Sequence, residues 1–387
     1  MGYKTYNCPI SRQCGGCEWL NVPYPIQLER KQAEVEELFD SLCDNALIYP
    51  IDGMDDPTRC RNKVIVPFAS GKKGSIVYGL YAKGSHRVVQ KDDCLVEDAV
   101  AAPILKTIAK LAQSFKLRPF DEKTGHGFLR YALLRISRST GEVLVCLVCG
   151  GEMFKGSKAF VRELRKRHPE VATVVLNVNS RSTNVVLGER EHTLYGKGWI
   201  EDELLGCKFR ISAQSFFQVN PRQTEKLYSH ALDMAGISDG TTVLDAYCGT
   251  GTIGILAAKR GASVVGVESN AAAVRDARSN ARRNGIDGIE FETADASQFI
   301  RRCANDGDSF DVVIMDPPRA GSDEKFLKAL ARMAPQKVVY ISCNPKTQAR
   351  DCALLLDNGY YINKVQPVDM FPHTPHVESV ALLASED

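Results

Sequence analysis

Cys343 and Glu378 are the two side chains of this 387-residue chain whose types and settings best suit covalent chemistry. Cys343 stands in Ser342-Cys343-Asn344-Pro345, directly after the apolar run Val338–Ile341. Glu378 stands in His376-Val377-Glu378-Ser379-Val380, where another apolar run begins. A thiolate can add to carbon 6 of a pyrimidine ring and so place electron density on carbon 5, which is otherwise a poor nucleophile. A base must then remove the proton from carbon 5 before the thiol can leave. A free thiol is only a few per cent ionised at pH 7, and lowering its pKa to 7 takes roughly 2 kcal/mol. The plain alternatives are a small buried cysteine and a solvated strand-end carboxylate.

A second constellation precedes these. Val243-Leu244-Asp245-Ala246-Tyr247-Cys248-Gly249-Thr250-Gly251-Thr252-Ile253-Gly254 reads as a strand, a glycine-rich turn and a helix start, and Glu268 ends the next strand. Glycines at 249, 251 and 254 let the backbone approach a ligand, and an acidic side chain at the next strand end suits ribose hydroxyls. The loop alone fits NAD and S-adenosylmethionine almost equally. Asp245 and a terminal hairpin (below) favour S-adenosylmethionine, which has no pyrophosphate for the helix N-terminus. Asp316, in Asp316-Pro317-Pro318-Arg319, ends another strand, and Asp295 follows the third strand as a candidate for the adenine edge.

A third lies near the start: Cys8-x5-Cys14-x2-Cys17, with Gly15-Gly16 between. Three thiols at this spacing suit zinc or an iron–sulfur cluster. Cys43, Cys60 and Cys94 are the nearest candidates for a fourth ligand, and Cys94 is flanked by charge rather than apolar residues.

The elements that must position these groups are legible as short β-branched runs. Over the last 150 residues they fall at Thr242–Asp245, Ser263–Glu268, Ile289–Glu292, Asp311–Met315, Lys337–Ser342, Tyr360–Val365 and Val377–Leu383. The first five are spaced for crossover helices, as in a parallel sheet covered on both faces. The last two are joined by a short Pro-containing loop, so the final strand is expected to run antiparallel, bringing Glu378 to the edge that holds Cys343. Seven strands ending in a hairpin predict the doubly wound α/β fold of class I methyltransferases. Upstream, apolar spacing predicts one helix over about 25–44, and residues 59–200 read as a mixed, strand-led region with helices near 98–115 and 156–168. The expected organisation is a cysteine segment and helix at 1–50, a central α+β RNA-binding domain at 51–212, and a catalytic domain at 213–387.

Composition limits the rest. Hydrophobic residues make up 44% and the net charge is +2, so the chain is an ordinary globular one, and no apolar run reaches the length of a membrane span. The start lacks a signal-peptide pattern, so a cytoplasmic address is expected, as are no membrane and no obligate protein partner. Thirteen cysteines in a reducing compartment are not a disulfide framework. The near-neutral sum conceals a stretch from Thr58 to Lys91 with eight Lys or Arg and no acidic residue, interleaved with Phe68, Tyr78 and Tyr81. Arg61, Lys63 and Tyr81 are candidate RNA contacts: cations neutralise phosphates and aromatics stack unpaired bases.

Together Phe216-Phe217-Gln218-Val219-Asn220, Asp245–Gly251, Asp316–Gly321, Ser342–Pro345 and His376–Glu378 resemble the RNA 5-methyluridine methyltransferase family over nearly the whole chain. The resemblance implies Cys343 as nucleophile, Glu378 as base, and Gln218, Tyr247, Gly249, Glu268 and Asp316 around S-adenosylmethionine. Thr252 stands where many relatives have Asn. The cysteine spacing resembles members with a 4Fe-4S cluster held by Cys8, Cys14, Cys17 and Cys94. Many relatives carry a further N-terminal β-barrel, which the seven residues before Cys8 would not accommodate. Cluster-bearing members without it resemble 23S rRNA enzymes, so the expected substrate is a uridine of 23S rRNA, with tRNA as the alternative. Two other classes stay open: an NAD-linked oxidoreductase, which leaves Cys343 and Glu378 idle, and a non-catalytic iron–sulfur RNA-binding protein.

Overall fold

The structure, a computed structural model, describes residues 4–122, 124–181 and 184–385. The first helix, α1, runs Tyr24–Phe39 and is followed by the central region: β1 Lys63–Ser70, β2 Ile76–Tyr81, β3 Val88–Gln90, α2 Ala101–Ser114, β4 Leu129–Ile136, β5 Val143–Cys149, α3 Ser157–Arg167, β6 Val171–Val178 and β7 Arg190–Tyr195. These strands form one sheet in the order β3-β2-β1-β4-β5-β6-β7, antiparallel except for β5 beside β6. A separate hairpin, β8 Trp199–Leu204 and β9 Cys207–Ser212, leads into α4 Pro221–Ala235. Pro221 opens that helix and Gly236, at φ 64°, closes it.

The remaining elements alternate as expected: β10 Thr242–Ala246, α5 Thr252–Lys259, β11 Ser263–Glu268, α6 Ala271–Arg283, β12 Ile289–Thr293, α7 Ala296–Asp306, β13 Val312–Met315, α8 Glu324–Met333, β14 Lys337–Ser342, α9 Pro345–Leu356, β15 Tyr360–Val368 and β16 Glu378–Ser385. The sheet order is β12-β11-β10-β13-β14-β16-β15, with β16 antiparallel to both neighbours. This is the doubly wound class I methyltransferase sheet with its terminal hairpin.

Strand periodicity sorts the core. Val243, Ile314, Val339 and Val380 face one layer, with the β8–β9 hairpin, α4 and α5. Their neighbours Leu244, Val313, Val338 and Ala381 face the other, with α7, α8 and α9. Alpha-helix α8 contributes Phe326, Leu327, Leu330 and Met333, spaced to form one buried stripe, each worth about 1.5–3 kcal/mol of burial. The central sheet packs its own core on α2 and α3.

One expectation needs correction. The first helix stops at Phe39 rather than continuing to 44: the Leu42 and Cys43 N–H groups both close on the Phe39 carbonyl, at 2.8 and 3.1 Å, and Asp40, Ser41 and Asp44 are poor helix formers. The Asp44 carboxylate instead accepts from the Ala46 N–H and caps a short 3-10 turn over Asn45–Leu47. Val35 and Phe39 of that helix, with Ile48 after the turn, are buried with Val365 and Leu355 of the second sheet's core. Among the described residues no helix is long and apolar enough to cross a membrane.

Candidate active site

The carboxyl ends of β10, β11, β13 and β14 and the start of β16 converge on one edge. The antiparallel register pairs Ser342 with Ser379, so the next residues outward, Cys343 and Glu378, stand opposite each other although 35 positions apart in sequence. Gln348 of α9 fastens both strands. Its Nε2 donates to the Tyr340 carbonyl at 2.8 Å and the Ser379 carbonyl at 3.3 Å, and its Oε1 accepts from the Ser379 hydroxyl. The turn holding Cys343 is closed locally: Ser342 Oγ accepts from the Asn344 N–H at 3.1 Å, and Asn344 Nδ2 donates to the Arg319 carbonyl at 3.1 Å. The Cys343 thiol, half-buried, thus sits against the Asp316–Gly321 loop.

Electrostatics at this edge are dominated by desolvated acids. Burial, then the nearby Asp316, pushes Glu378 up to about 8 from an ordinary 4.5. Burial pushes Asp316 up to about 7. Asp245 is also raised to about 7, by burial first, although the Gly254 N–H donates to its Oδ2 at 2.7 Å. Burial raises the Cys343 thiol, with Glu378 and Asp316 adding to the effect and Arg319 opposing it. An acid with a pKa near neutrality is a competent proton acceptor at physiological pH.

The glycine loop beside this edge carries groups suited to an adenosine-bearing cofactor. Asp245 Oδ1 is buried and has no hydrogen-bond partner, an unfilled acceptor at the base of the glycine loop. Gly249, at φ 55°, has only open space where a Cβ would point, whereas a Cβ on Gly251 would meet the Phe291 ring at 2.7 Å. Glycine is thus required at 251 by packing and at 249 leaves room for a ligand. The Gly249 N–H donates to Glu268 Oε2 at 3.2 Å, fixing the acid at the end of β11. Tyr247 has φ 65°, a conformation costly for a bulky residue, and its hydroxyl meets Ser322 Oγ at 3.1 Å. Asp295 is exposed and caps α7, its Oδ1 accepting from the Gln298 N–H at 3.0 Å.

Sequence reasoning missed three supporting side chains. Tyr228, buried on α4, hydrogen-bonds Gln218 and feels Asp316, Glu378 and Asp245, which together with burial raise its pKa. Asp351, buried on α9, accepts from the Tyr340 hydroxyl at 2.7 Å and from the Ser322 N–H at 2.9 Å. It therefore links the β14 strand to the loop that holds Tyr247. Gln348 is the third. All three read as ordinary polar positions of amphipathic helices, and no local motif marks them.

The loop that delivers Glu378 is gripped by the N-terminal segment. Asp369 accepts from Lys31 Nζ at 2.5 Å and from the Tyr24 hydroxyl at 2.6 Å, all buried. The Trp19 N–H donates to the His373 carbonyl at 3.0 Å, and the His373 N–H donates to Gln27 Oε1 at 2.9 Å.

Cys8, Cys14, Cys17 and Cys94 line one cavity of about 710 Å³, together with Arg61 and Tyr81. The Cys17 thiol is raised to about 12, chiefly by burial, with Cys94, Cys14 and Cys8 contributing and Arg61 opposing. Soft thiols around one cavity suit a thiophilic centre, yet among the described residues no three His, Cys, Asp or Glu side chains are gathered closely enough to hold a metal ion.

The basic stretch divides on folding. Arg59 pairs with Asp93 at 2.6 Å, and Lys91 is buried against Glu97, so acids just beyond the stretch remove both from any RNA face. Lys63 is half-buried beside Arg135, and burial lowers its pKa to about 8. Arg61 faces the cysteine cavity, and Tyr81 stands between that cavity and a second cleft.

Comparison with known proteins agrees with this geometry. The family model described as tRNA (Uracil-5-)-methyltransferase matches residues 24–386. An uncharacterized RNA methyltransferase of Halalkalibacterium halodurans is 40% identical over 378 residues, 97% of this chain and 82% of the relative. One of Listeria monocytogenes is 41% identical over 379 residues, 97% of this chain and 83% of the relative. Among solved structures, the Pyrococcus abyssi tRNA (uracil-54, C5)-methyltransferase in complex with S-adenosyl-L-homocysteine is similar with a TM-score of 0.78 and 30% identity, over 98% of this chain and 87% of that one. With a sheet ending in an antiparallel hairpin, a cysteine opposite a buried acid, and matches over almost its full length, the chain is a methyltransferase and belongs to the tRNA (uracil-5-)-methyltransferase family.

Proposed function

We propose that the protein methylates carbon 5 of a uridine in RNA through a covalent cysteine–uracil adduct. The observation that carries this is the Ser342–Ser379 register, which sets Cys343 opposite Glu378 at the edge occupied by Asp316. S-adenosylmethionine, when bound, supplies the sulfonium methyl group. Cys343 adds to carbon 6 of the ring, and carbon 5 becomes the nucleophile. After carbon 5 has taken the methyl group, Glu378 removes its proton and the Cys343 sulfur leaves carbon 6, restoring the aromatic ring. Gln218, Tyr247, Gly249, Glu268, Asp295 and Asp316 hold the cofactor, with Asp245 supporting the loop. A target base must leave its stack to reach Cys343, so an unpaired or extruded uridine is the substrate form.

Cys8, Cys14, Cys17 and Cys94 hold a 4Fe-4S cluster in this reading, supported by their shared cavity. The four come from two separate segments, so the cluster ties residues 8–17 to residue 94. Residues 51–212 bind the RNA, and the compartment is the cytoplasm. A uridine of 23S rRNA is the first reading of the substrate. A tRNA uridine is the second, favoured by the likeness to the Pyrococcus abyssi structure. Tritium release from 5-tritiated uridine in 23S rRNA and tRNA fragments tests both: release from one names the substrate, and release from neither overturns the mechanism.

A further inference from the structure

Beside the cysteine cavity, across Tyr81, the central sheet carries a second cleft of about 1010 Å³. Cys343, Asp316 and Glu378 are not among the residues that line it. Its walls are flat. Tyr81 stacks on His86, with ring centroids 5.0 Å apart and planes 18° apart. Tyr131 meets Tyr81 edge-on, and their hydroxyls lie 3.0 Å apart. The Arg130 guanidinium lies 4.6 Å from the Phe120 ring centre and is pinned by the Asn179 and Arg181 carbonyls at 2.9 and 2.7 Å. Glu122 supplies a carboxylate, held by His86 at 2.5 Å. Outside the cleft, Lys72, Lys73 and Arg87 are exposed on the connections to β2 and β3.

We propose that this cleft receives an unpaired nucleobase of the RNA other than the target uridine, holding the strand while the target occupies the catalytic edge. Every base has a π-face, so the exposed His86 ring and the part-exposed Tyr81 and Phe120 rings bind an unstacked base whatever its identity, with buried Arg130 bracing Phe120 from behind, and exposed cations beside them take the flanking phosphates. Glu122, half-buried and already accepting from the Tyr131 hydroxyl at 3.3 Å, keeps further lone pairs for the donors of a base edge. A cleft for a small apolar metabolite would not need cations outside it. This inference rests on the RNA reading and adds a second point of grip, which gives the enzyme a way to select a particular loop.

The test uses the full chain with the RNA fragment that supports tritium release. Ultraviolet crosslinking followed by mass spectrometry should join a nucleotide other than the methylated one to a peptide holding Tyr81, Phe120 or Tyr131. Phe120→Ala and His86→Ala should each raise KM for RNA by about tenfold, with a smaller fall in kcat and no change in KM for S-adenosylmethionine. His86 is exposed, so its variant keeps the test valid should Phe120→Ala fail to fold. Wild-type KM in the folded His86→Ala protein, with crosslinks confined to other surfaces, would overturn the proposal. Crosslinking at the cleft without any methyl transfer by the wild type would instead overturn the catalytic reading and leave the cleft standing.

Discussion

At the carboxyl edge of the second sheet, Asp245, Asp316 and Glu378 are desolvated side by side, and burial has raised all three. Beneath α1, and at Lys91 and Asp202 of the central region, buried charge is treated in the opposite way. Lys31 meets Asp369, Lys91 meets Glu97, and buried Asp202 accepts from the N–H groups of Arg138, Ser139 and Glu203. A buried charge without a partner is expensive, and a folded protein tolerates it where the charge must change during function. The difference teaches that the acidic edge is a reservoir for protons and ligands, while the paired groups serve to join segments.

The sharpest way to break this comparison is to remove the reacting groups. Cys343→Ala should abolish tritium release altogether, and any residual release would deny that thiol its role. Glu378→Gln should slow turnover by about 10²-fold or more, with an RNA–protein adduct accumulating that resists denaturing electrophoresis. A slow variant without adduct would mean that another group takes the proton.

On the paired side, Lys31→Met leaves Asp369 buried with only the Tyr24 hydroxyl, and should cost about 3–5 kcal/mol in denaturant unfolding. Lys31→Met combined with Asp369→Leu should recover most of that loss. Equal loss in the single and double variants would show that the charges themselves are not what joins the segments.

The unpaired side makes a prediction of opposite sign. Asp245, Asp316 and Glu378 have folded pKa values above their ordinary ones, so the native state holds more protons than the unfolded one between about pH 4 and 8. Their contribution to stability is therefore present at low pH and lost as pH rises through that window. Melting of the cofactor-free protein should show this decline, and Asp245→Asn should flatten part of it; a slope unchanged by that substitution would remove Asp245 from the reservoir. The smallest effect concerns rate. The acidic, ascending limb of the kcat/KM profile should lie near pH 8 for the wild type, where Glu378 loses its proton, and the residual activity of Asp316→Asn should show it displaced to lower pH, since a negative neighbour of Glu378 is gone.

Much of this was legible beforehand because strands announce themselves. Seven β-branched runs and a short final loop placed the hairpin, and the hairpin alone brought Glu378 to Cys343. Spacing grouped Cys8, Cys14 and Cys17 but left Cys43, Cys60 and Cys94 open as the fourth, and the resemblance to the family singled out Cys94. What could not be read depended on contacts distant in sequence. Gln348, Asp351 and Tyr228 look like solvated helix positions until the helices dock. Lys91 looked free because its partner, Glu97, lies just past the basic stretch. The early end of α1 was marked by Asp40 and Ser41, but the apolar spacing continued through Leu42 and masked it.

The grip of residues 19–31 on residues 369–373 also bears on how the chain is made. Lys31 and Asp369 are separated by 338 positions, and Gln27 and His373 by 346. A ribosome adding roughly 5–20 residues per second needs tens of seconds to cover that interval. Through most of it α1 waits with its apolar stripe uncovered, because α9 and the loop between β15 and β16, on which it rests, are among the last to be synthesised. The central sheet, whose pairings lie within residues 63–195, can form while the chain is still attached. The cysteine segment therefore waits for the end of translation to find its final anchor, and Glu378, the proposed base, is the last of the edge carboxylates to be set in place.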